Sequence, residues 1–271
     1  SITTNGDCTA VGHSALILNT GFWNTALGSG ALKSNTSGHQ NTAIGYDVLS
    51  ANTTGVYNIA MGVECLKTST VDAFNLAIGH RVMQNANNLG SNIGIGRSIM
   101  RNATGGTFNI GIGTDALFNN VSGIENIAIG SGAQGALMAN TTGSKNIAIG
   151  TGALVKNTTG LSNIAIGFGS GGGNITGNYN VTIGGIINGS DISNSTVLGA
   201  AAAASASNSL FFQPGLTTLS SVALHYNPAN GHTGPVSSSR KLKKDIVDTK
   251  IDTSKVLQLR PVDFKWNAET L

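Results

Sequence analysis

The apolar and polar positions of this chain follow one pattern that repeats with a period of about 17. Each repeat opens with Asn in slot 1 and reaches Gly in slot 5, with apolar or small residues in slots 2 to 4. Slot 1 is held by Asn24, Asn41, Asn58, Asn75, Asn92, Asn109 and Asn126, then by Asn146, Asn163 and Asn180, with Cys8 and Ser195 at the two ends. A fixed short period is the signature of a solenoid, in which each unit stacks on its neighbours.

Slots 1 to 5 predict a short strand, one of two or three expected in each coil. Slots 2 and 4 are mostly large and apolar and slot 3 is small, as in Ile147-Ala148-Ile149. Because side chains alternate faces along a strand, slots 2 and 4 form one apolar face. Asn, the small residue and Gly form a second face, smooth enough for another backbone to approach closely. A solenoid that remains a monomer needs only one face suited to packing. Because two such faces are present, we predict that chains associate laterally around an axis, as a homotrimer.

The second half of each repeat closes with turn chemistry, for example Asn157-Thr158-Thr159-Gly160. Such a short period leaves no room for a helix beside a strand. The predicted fold class is all-β, a parallel β-solenoid (β-roll) with ~17-residue coils forming a homotrimeric fibre, with a short α/β C-terminal segment. We expect the solenoid shaft over 1–200, a neck and hairpin connector over 201–236, and a further segment over 237–271.

Composition agrees with a repeating structure and excludes several classes of function. Gly accounts for 38 of the 271 residues, and charged residues are only 10%. Nearly half of the charged side chains fall within 240–271, so no basic stripe runs along the body and nucleic acid is not an expected partner. No apolar run is long enough to span a bilayer. The five His are scattered without ligand spacing, so we expect neither metal nor cofactor.

The repeat Asn-x-Ala-Ile-Gly resembles the head repeats of trimeric autotransporter adhesins of the YadA type, over about 7–200. The resemblance implies a left-handed parallel β-roll and a homotrimer. Similar repeats occur in phage and giant-virus fibres. The coil of that family is shorter than the repeat of this chain, so the extra residues here are expected to form a longer loop on one side.

Two C-terminal blocks, 237–246 and 256–266, resemble the start of the intramolecular chaperone domain behind endosialidase tailspikes and phage fibres. That domain trimerises, assists folding of the fibre and cuts itself off with a Ser–Lys pair. The resemblance makes Ser238 the nucleophile and Lys243 its base, with the cut after Ser237. The chemistry is coherent, because a desolvated Lys has a lowered pKa and can accept the Ser proton. The alternative is that both are ordinary residues of a basic linker.

The leading functional hypothesis is an extracellular fibre on a virion or cell surface that attaches to a host or prey surface through a glycan or protein receptor. A polysaccharide-degrading tailspike and an ice-binding solenoid are the alternatives. Acidic residues are sparse in 1–200, and slot 2 contains Thr in the early repeats but mostly Ile or Leu later, so no continuous Thr array exists. Asn-x-Ser/Thr sites are either glycan acceptors or, as we favour, turns, at Asn35, Asn52, Asn102, Asn120, Asn140, Asn157 and Asn174.

Overall fold

The computed structural model describes residues 6–187, 189–200, 202–212, 223–227 and 232–235. These residues form strands and turns without any helix, so this part of the chain contains no helix that could cross a membrane. The chain is a parallel β-solenoid of about twelve coils, in which equivalent residues of neighbouring coils are mostly 17 positions apart, and the predicted all-β solenoid is confirmed. The C-terminal α/β segment lies outside the described residues.

Nineteen strands occur in the described residues, and most of them are short. They are β1 (Thr9–Val11), β2 (Thr25–Leu27), β3 (Thr42–Tyr46), β4 (Ile59–Val63), β5 (Leu76–His80), β6 (Leu89–Gly90), β7 (Ile93–Arg97), β8 (Gly106–Thr107), β9 (Ile110–Thr114), β10 (Ile127–Gly130), β11 (Ile147–Ile149), β12 (Ile164–Ile166), β13 (Val181–Ile183), β14 (Ile186–Ile187), β15 (Thr196–Leu198), β16 (Ala203–Ala204), β17 (Ser209–Phe212), β18 (Ala223–Asn227) and β19 (His232–Pro235). Fifteen of them make one sheet, and β6–β8 and β14–β16 are two small parallel pairs. Most coils contain one strand instead of the two or three predicted, because the second half of the repeat consists of turns.

The main sheet keeps equivalent slots in register from coil to coil. Ile59 pairs with Leu76 and Ile110 with Ile127, each one repeat apart. Ile127 pairs with Ile147 across the longer interval. The three extra residues of that coil are therefore accommodated after the strand, where 131–134 are exposed.

The parallel ladder extends beyond residue 200. Strand β17 pairs in parallel with β15, with Thr196 opposite Leu210. The Ala-rich stretch at the start of the predicted neck contains strand β16, and this strand pairs with β14. Strands β18 and β19 pair antiparallel, with His225 opposite Gly234.

The interior of the coil is formed by slot 3 on one side and the second half of the repeat on the other. The Ala side chains of slot 3 are completely buried within the single chain: Ala26, Ala43, Ala60, Ala77, Ala128, Ala148 and Ala165. Opposite them lie large buried residues, among them Leu32, Leu49, Leu66, Met83 and Leu117. The prediction that the small residues form a surface between chains is therefore wrong, because they are the wall of the chain's own core.

These large core residues adopt a backbone conformation that is rare for them. Leu32 has a φ of 51° and Leu49 a φ of 49°, both in the left-handed region. The turn directs each side chain into the coil, and the N–H of Leu32 donates to the carbonyl oxygen of Val48 in the next coil at 3.0 Å. Complete burial of a Leu side chain contributes about 1.5–3 kcal/mol, which offsets the conformational strain.

The Gly of slot 5 is required by both conformation and space. Gly79 has a φ of 135°, and a Cβ on it would lie 1.8 Å from the carbonyl oxygen of Gly96 in the next coil. Most slot-5 glycines share the positive φ. The column therefore lets successive coils stack at strand spacing where the chain leaves the sheet.

Candidate interaction surface

The most conspicuous feature of the surface is an uncovered apolar sheet face, which we call the apolar ladder. It consists of the side chains in slots 2 and 4, which point away from the core along the parallel strands of the sheet. Ile59 is 45% exposed, Leu27 is 46% exposed and Ile183 is 44% exposed. The other slot-4 members that are more than a third exposed are Val11, Met61, Ile95, Ile149 and Ile166. Contiguous exposed apolar surface on this scale marks an interaction site.

The ladder has the regular geometry of the sheet that carries it. Identical residue types face each other between coils, as with Ile93 and Ile110 in slot 2 and Ile95 and Ile112 in slot 4. Adjacent parallel strands lie about 4.8 Å apart, so twelve rungs extend over roughly 58 Å. The ladder is two side chains wide, and it is therefore long, narrow and flat.

A second exposed apolar feature lies just before the strands of the first coils, and we call it the aromatic strip. Phe22 stacks on His39 with ring centroids 4.9 Å apart, and Tyr57 stacks on Phe74 at 4.8 Å. His39 meets Tyr57 edge-on at 5.8 Å and so connects the two pairs. Trp23 packs edge-on against Phe22. The strip extends the exposed apolar surface next to the first strands.

Charged side chains gather in the turns that follow strands β3, β4 and β5. Lys67 contacts Glu64 at 2.6 Å and Asp47 at 3.3 Å, and Arg81 contacts Glu64 at 3.0 Å. The hydrogen bond from Lys67, together with Arg81, holds the pKa of Glu64 below its ordinary value. Sequence analysis missed this cluster, although Glu64 stands one full repeat after Asp47 and one before Arg81, which was a usable signal. Both carboxylates are bound by cations and are not a free catalytic pair.

The seven Asn-x-Ser/Thr sites in the turns are structural. Asn35, Asn52, Asn120, Asn140, Asn157 and Asn174 are completely buried and hydrogen-bonded, and Asn102 is half-buried. In a representative turn, Asn157 donates through Nδ2 to the carbonyl oxygen of Gly160 at 3.1 Å and to Oδ1 of Asn140 at 3.0 Å. These six carboxamides are not accessible to a glycosylating enzyme in the folded chain, which supports our preference for turns.

The two cysteines occupy repeat positions without forming a reactive site. Cys65 is completely buried in the column that also contains Ala31, Val48 and Val82. Burial raises the pKa of its thiol. Cys8 takes the place of the slot-1 Asn, and its Sγ accepts the backbone N–H of Asn24 at 3.3 Å. The described residues contain no cluster of His, Cys, Asp or Glu that could hold a metal ion.

The predicted self-cleavage residues Ser238 and Lys243 lie outside the described residues, so their roles stay predictions. The geometry defines the class of protein, a parallel β-solenoid repeat protein with an uncovered apolar face. Comparisons with protein-family models, curated proteins and solved structures found no match to this chain.

Proposed function

We propose that the chain is the shaft of a homotrimeric extracellular fibre, borne on a virion or a cell surface, that attaches its bearer to a host or prey surface. The observation that carries the proposal is the apolar ladder, which runs along the parallel sheet and is uncovered in the single chain. Monomeric soluble proteins rarely expose contiguous apolar patches of more than a few hundred Å². The ladder therefore requires a partner.

The partner best suited to the ladder is another copy of the same chain. A second ladder has the same rung spacing, so side chains from two copies interdigitate over their full length. A surface about 58 Å long and roughly 10 Å wide is on the order of 600 Å² per chain. That approaches the ~800 Å² per partner of a standard stable interface, before the aromatic strip is included.

Three copies around one axis suit a fibre better than a two-fold dimer. Parallel packing about the axis places the same end of every chain at the same end of the rod, so that one end anchors and the other meets the target. The resemblance of the repeats to trimeric adhesin heads and of the C-terminal blocks to a trimerising chaperone supports the same stoichiometry. The turns and the exposed loop 131–134 stay free to contact a glycan or protein receptor.

The test is the mass of the full chain in solution by analytical ultracentrifugation, together with a double variant, Ile95→Asp with Ile149→Asp. Both side chains are more than a third exposed, so the variant is expected to fold but to sediment as a monomer. The matched control is Val121→Asp, an equally exposed apolar residue in a turn away from the ladder, which should stay trimeric. A monomeric wild type would contradict the proposal.

Attachment is tested separately, by binding of the trimer to a glycan array and to intact cells. Polysaccharide cleavage and thermal hysteresis, measured on the same preparation, examine the tailspike and ice-binding alternatives. Binding without either activity is the expected result. Measurable depolymerase or ice-binding activity would replace adhesion as the function of the rod.

A further inference from the structure

A row of buried Asn side chains in the turns of successive coils is interrupted at one place. A ladder of buried Asn residues runs through the turns, and each Nδ2 donates to Oδ1 of the Asn in the coil before it: Asn52 donates to Asn35 at 2.6 Å, and Asn140 to Asn120 at 2.7 Å. Between Asn52 and Asn120 the equivalent position is held by Ser69, Ala86 and Ala103. The Oδ1 of Asn52 therefore lacks the donor that the next coil would normally supply.

An acidic residue accompanies Ser69 at this interruption. Three residues after Asn52 and five other Asn residues of this row stands a Gly, because a Cβ there would meet the Asn: on Gly55 it would lie 2.3 Å from Oδ1 of Asn52. In the Ser69 coil the same position is Asp72. The shorter Ser leaves room for the Asp side chain, so Ser69 and Asp72 are a matched pair of departures from the repeat. Asp72 is buried, and its Oδ1 accepts the backbone N–H of Leu89 at 2.8 Å.

Three buried polar atoms at this place have no hydrogen-bond partner: Asn52 Oδ1, Ser69 Oγ and Asp72 Oδ2. With an ionised Asp72, the hydroxyl of Ser69 is the only donor among the three atoms, and it bonds to neither oxygen in this structure. Protonation of Asp72 adds a second donor and removes a buried charge that has no cation beside it. The proton therefore relieves the shortage of donors at this place.

We propose that Asp72, Ser69 and Asn52 form a buried proton-binding site that strengthens the solenoid in acid. An ionised carboxylate without a compensating cation is costly in such an interior, whereas the neutral acid is a good donor. The site does not depend on the proposed adhesive function.

The electrostatic surroundings agree with a neutral acid. Burial raises the pKa of Asp72, opposed by the backbone N–H of Leu89, the nearby hydroxyl of Ser69 and the backbone N–H of Asn88. The groups packed against it are Asn52 and Gly55 from the preceding coil, Ser69 and Asn58, and Asn88 and Leu89 from the following coil. None of these side chains ionises. A metal ion is a poorer occupant, because Ca²⁺ takes six to eight oxygen ligands and only three unpaired atoms are present.

The pH dependence follows from the direction of the pKa shift. Because the folded pKa of Asp72 lies above that of the unfolded chain, its stabilising effect is complete below an unfolded pKa of about 3.9 and is lost as pH rises toward the folded pKa. Glu64 has the opposite sign, since its lowered pKa stabilises the fold at neutral pH and the effect is lost in acid. The contribution of Asp72 must therefore be isolated by comparison with a variant.

The experiment compares the melting temperature of the full-length wild type and of Asp72→Asn between pH 4 and pH 8. Asn imitates the neutral acid at every pH, so the wild type should match the variant near pH 4 and fall below it by about 3 °C or more at pH 8. A difference between the two proteins that does not change with pH overturns the proposal.

A second variant and a direct measurement keep the test decisive if Asp72→Asn does not fold. Ser69→Asn with Asp72→Gly restores the usual turn and should remove the same part of the pH dependence. The infrared difference spectrum between wild type and this variant at pH 4 should contain the C=O band of a protonated carboxyl group. Carboxylate bands alone would mean that water satisfies the site around an ionised Asp72, and the proposal would fall.

Discussion

Oδ1 of Asn24 accepts two hydrogen bonds from Asn41 in the next coil, from the backbone N–H at 3.0 Å and from Nδ2 at 3.2 Å. The same pair of bonds joins Asn41 to Asn58 and Asn163 to Asn180. Slot 1 is thus a continuous buried amide ladder along the solenoid. It fixes the register of successive coils, because a slip by one residue would leave buried donors without acceptors.

Replacing Asn109 by Ala should destabilise the rod by about 2–4 kcal/mol. The change removes the acceptor for the backbone N–H and Nδ2 of Asn126, and both donors stay buried. Chemical denaturation of the full chain measures the effect. Ser122→Ala, at an exposed turn position in the following part of the repeat, should unfold at the wild-type denaturant concentration. Equal midpoints for the two variants would show that the amide ladder contributes little.

Gly113→Val should destabilise the solenoid by at least about 2 kcal/mol. Gly113 has a φ of 121°, and a Cβ would lie 2.0 Å from the carbonyl oxygen of Gly130. Gly105→Ala is the matched control, because the nearest atom to its added Cβ is 3.6 Å away and its φ is not in the left-handed region. The free energy of unfolding of that variant should lie within about 1 kcal/mol of the wild-type value. An unchanged Gly113→Val melt would mean that the slot-5 column is not a packing requirement.

In the core, the large side chain of Ile99 lies beside slot-3 residues that are smaller than usual. Gly94 and Gly111 replace the usual Ala there, and a Cβ on Gly111 would lie 2.4 Å from Cγ2 of Ile99. Gly111→Ala should therefore cost about 1–3 kcal/mol by overpacking, and Ile99→Ala about 2–4 kcal/mol by forming a cavity. The double variant recreates the composition of other coils, with Ala in both places. A double-mutant cycle should show that its cost is at least about 1 kcal/mol less than the sum, and strict additivity would contradict the packing argument.

The period, the strands and the slot-5 Gly column could be predicted from the sequence because each is a strictly local regularity. The orientation of the strands could not. Ala148 and Ile149 are both apolar, so alternation separates the two faces without saying which one is interior. The physical reason for the observed orientation is the narrow coil: Leu137 and Leu154 already occupy its interior, and only small side chains fit opposite them. The large residues of slots 2 and 4 are therefore left outside.

The site at Asp72 could be found only once the structure placed Ser69 beneath Asn52. In the sequence, Asp72 is one acidic residue among others in a turn, and its departure from Gly has no visible cause. The steric conflict between a ladder Asn and a Cβ three residues later explains why Ser69 and Asp72 occur together. Such a paired departure is recognisable in an aligned repeat, but its burial is not.

The last prediction concerns self-processing by Ser238 and Lys243, which rests on the resemblance to the intramolecular chaperone domain. A Ser hydroxyl is a weak nucleophile unless a base accepts its proton, and Lys243 is such a base only when assembly desolvates its ammonium group and lowers its pKa. Cleavage between Ser237 and Ser238 would then follow trimerisation. Intact mass of the full-length gene product should show loss of the C-terminal fragment in the wild type and retention of it in Ser238→Ala. Ser237→Ala and Ser239→Ala are the controls for an assignment displaced by one position. An uncut wild type would mean either that the segment is a permanent trimer clamp or that Ser238 and Lys243 are ordinary linker residues. Circular dichroism and sedimentation of a chain ending at residue 236 would distinguish these two outcomes.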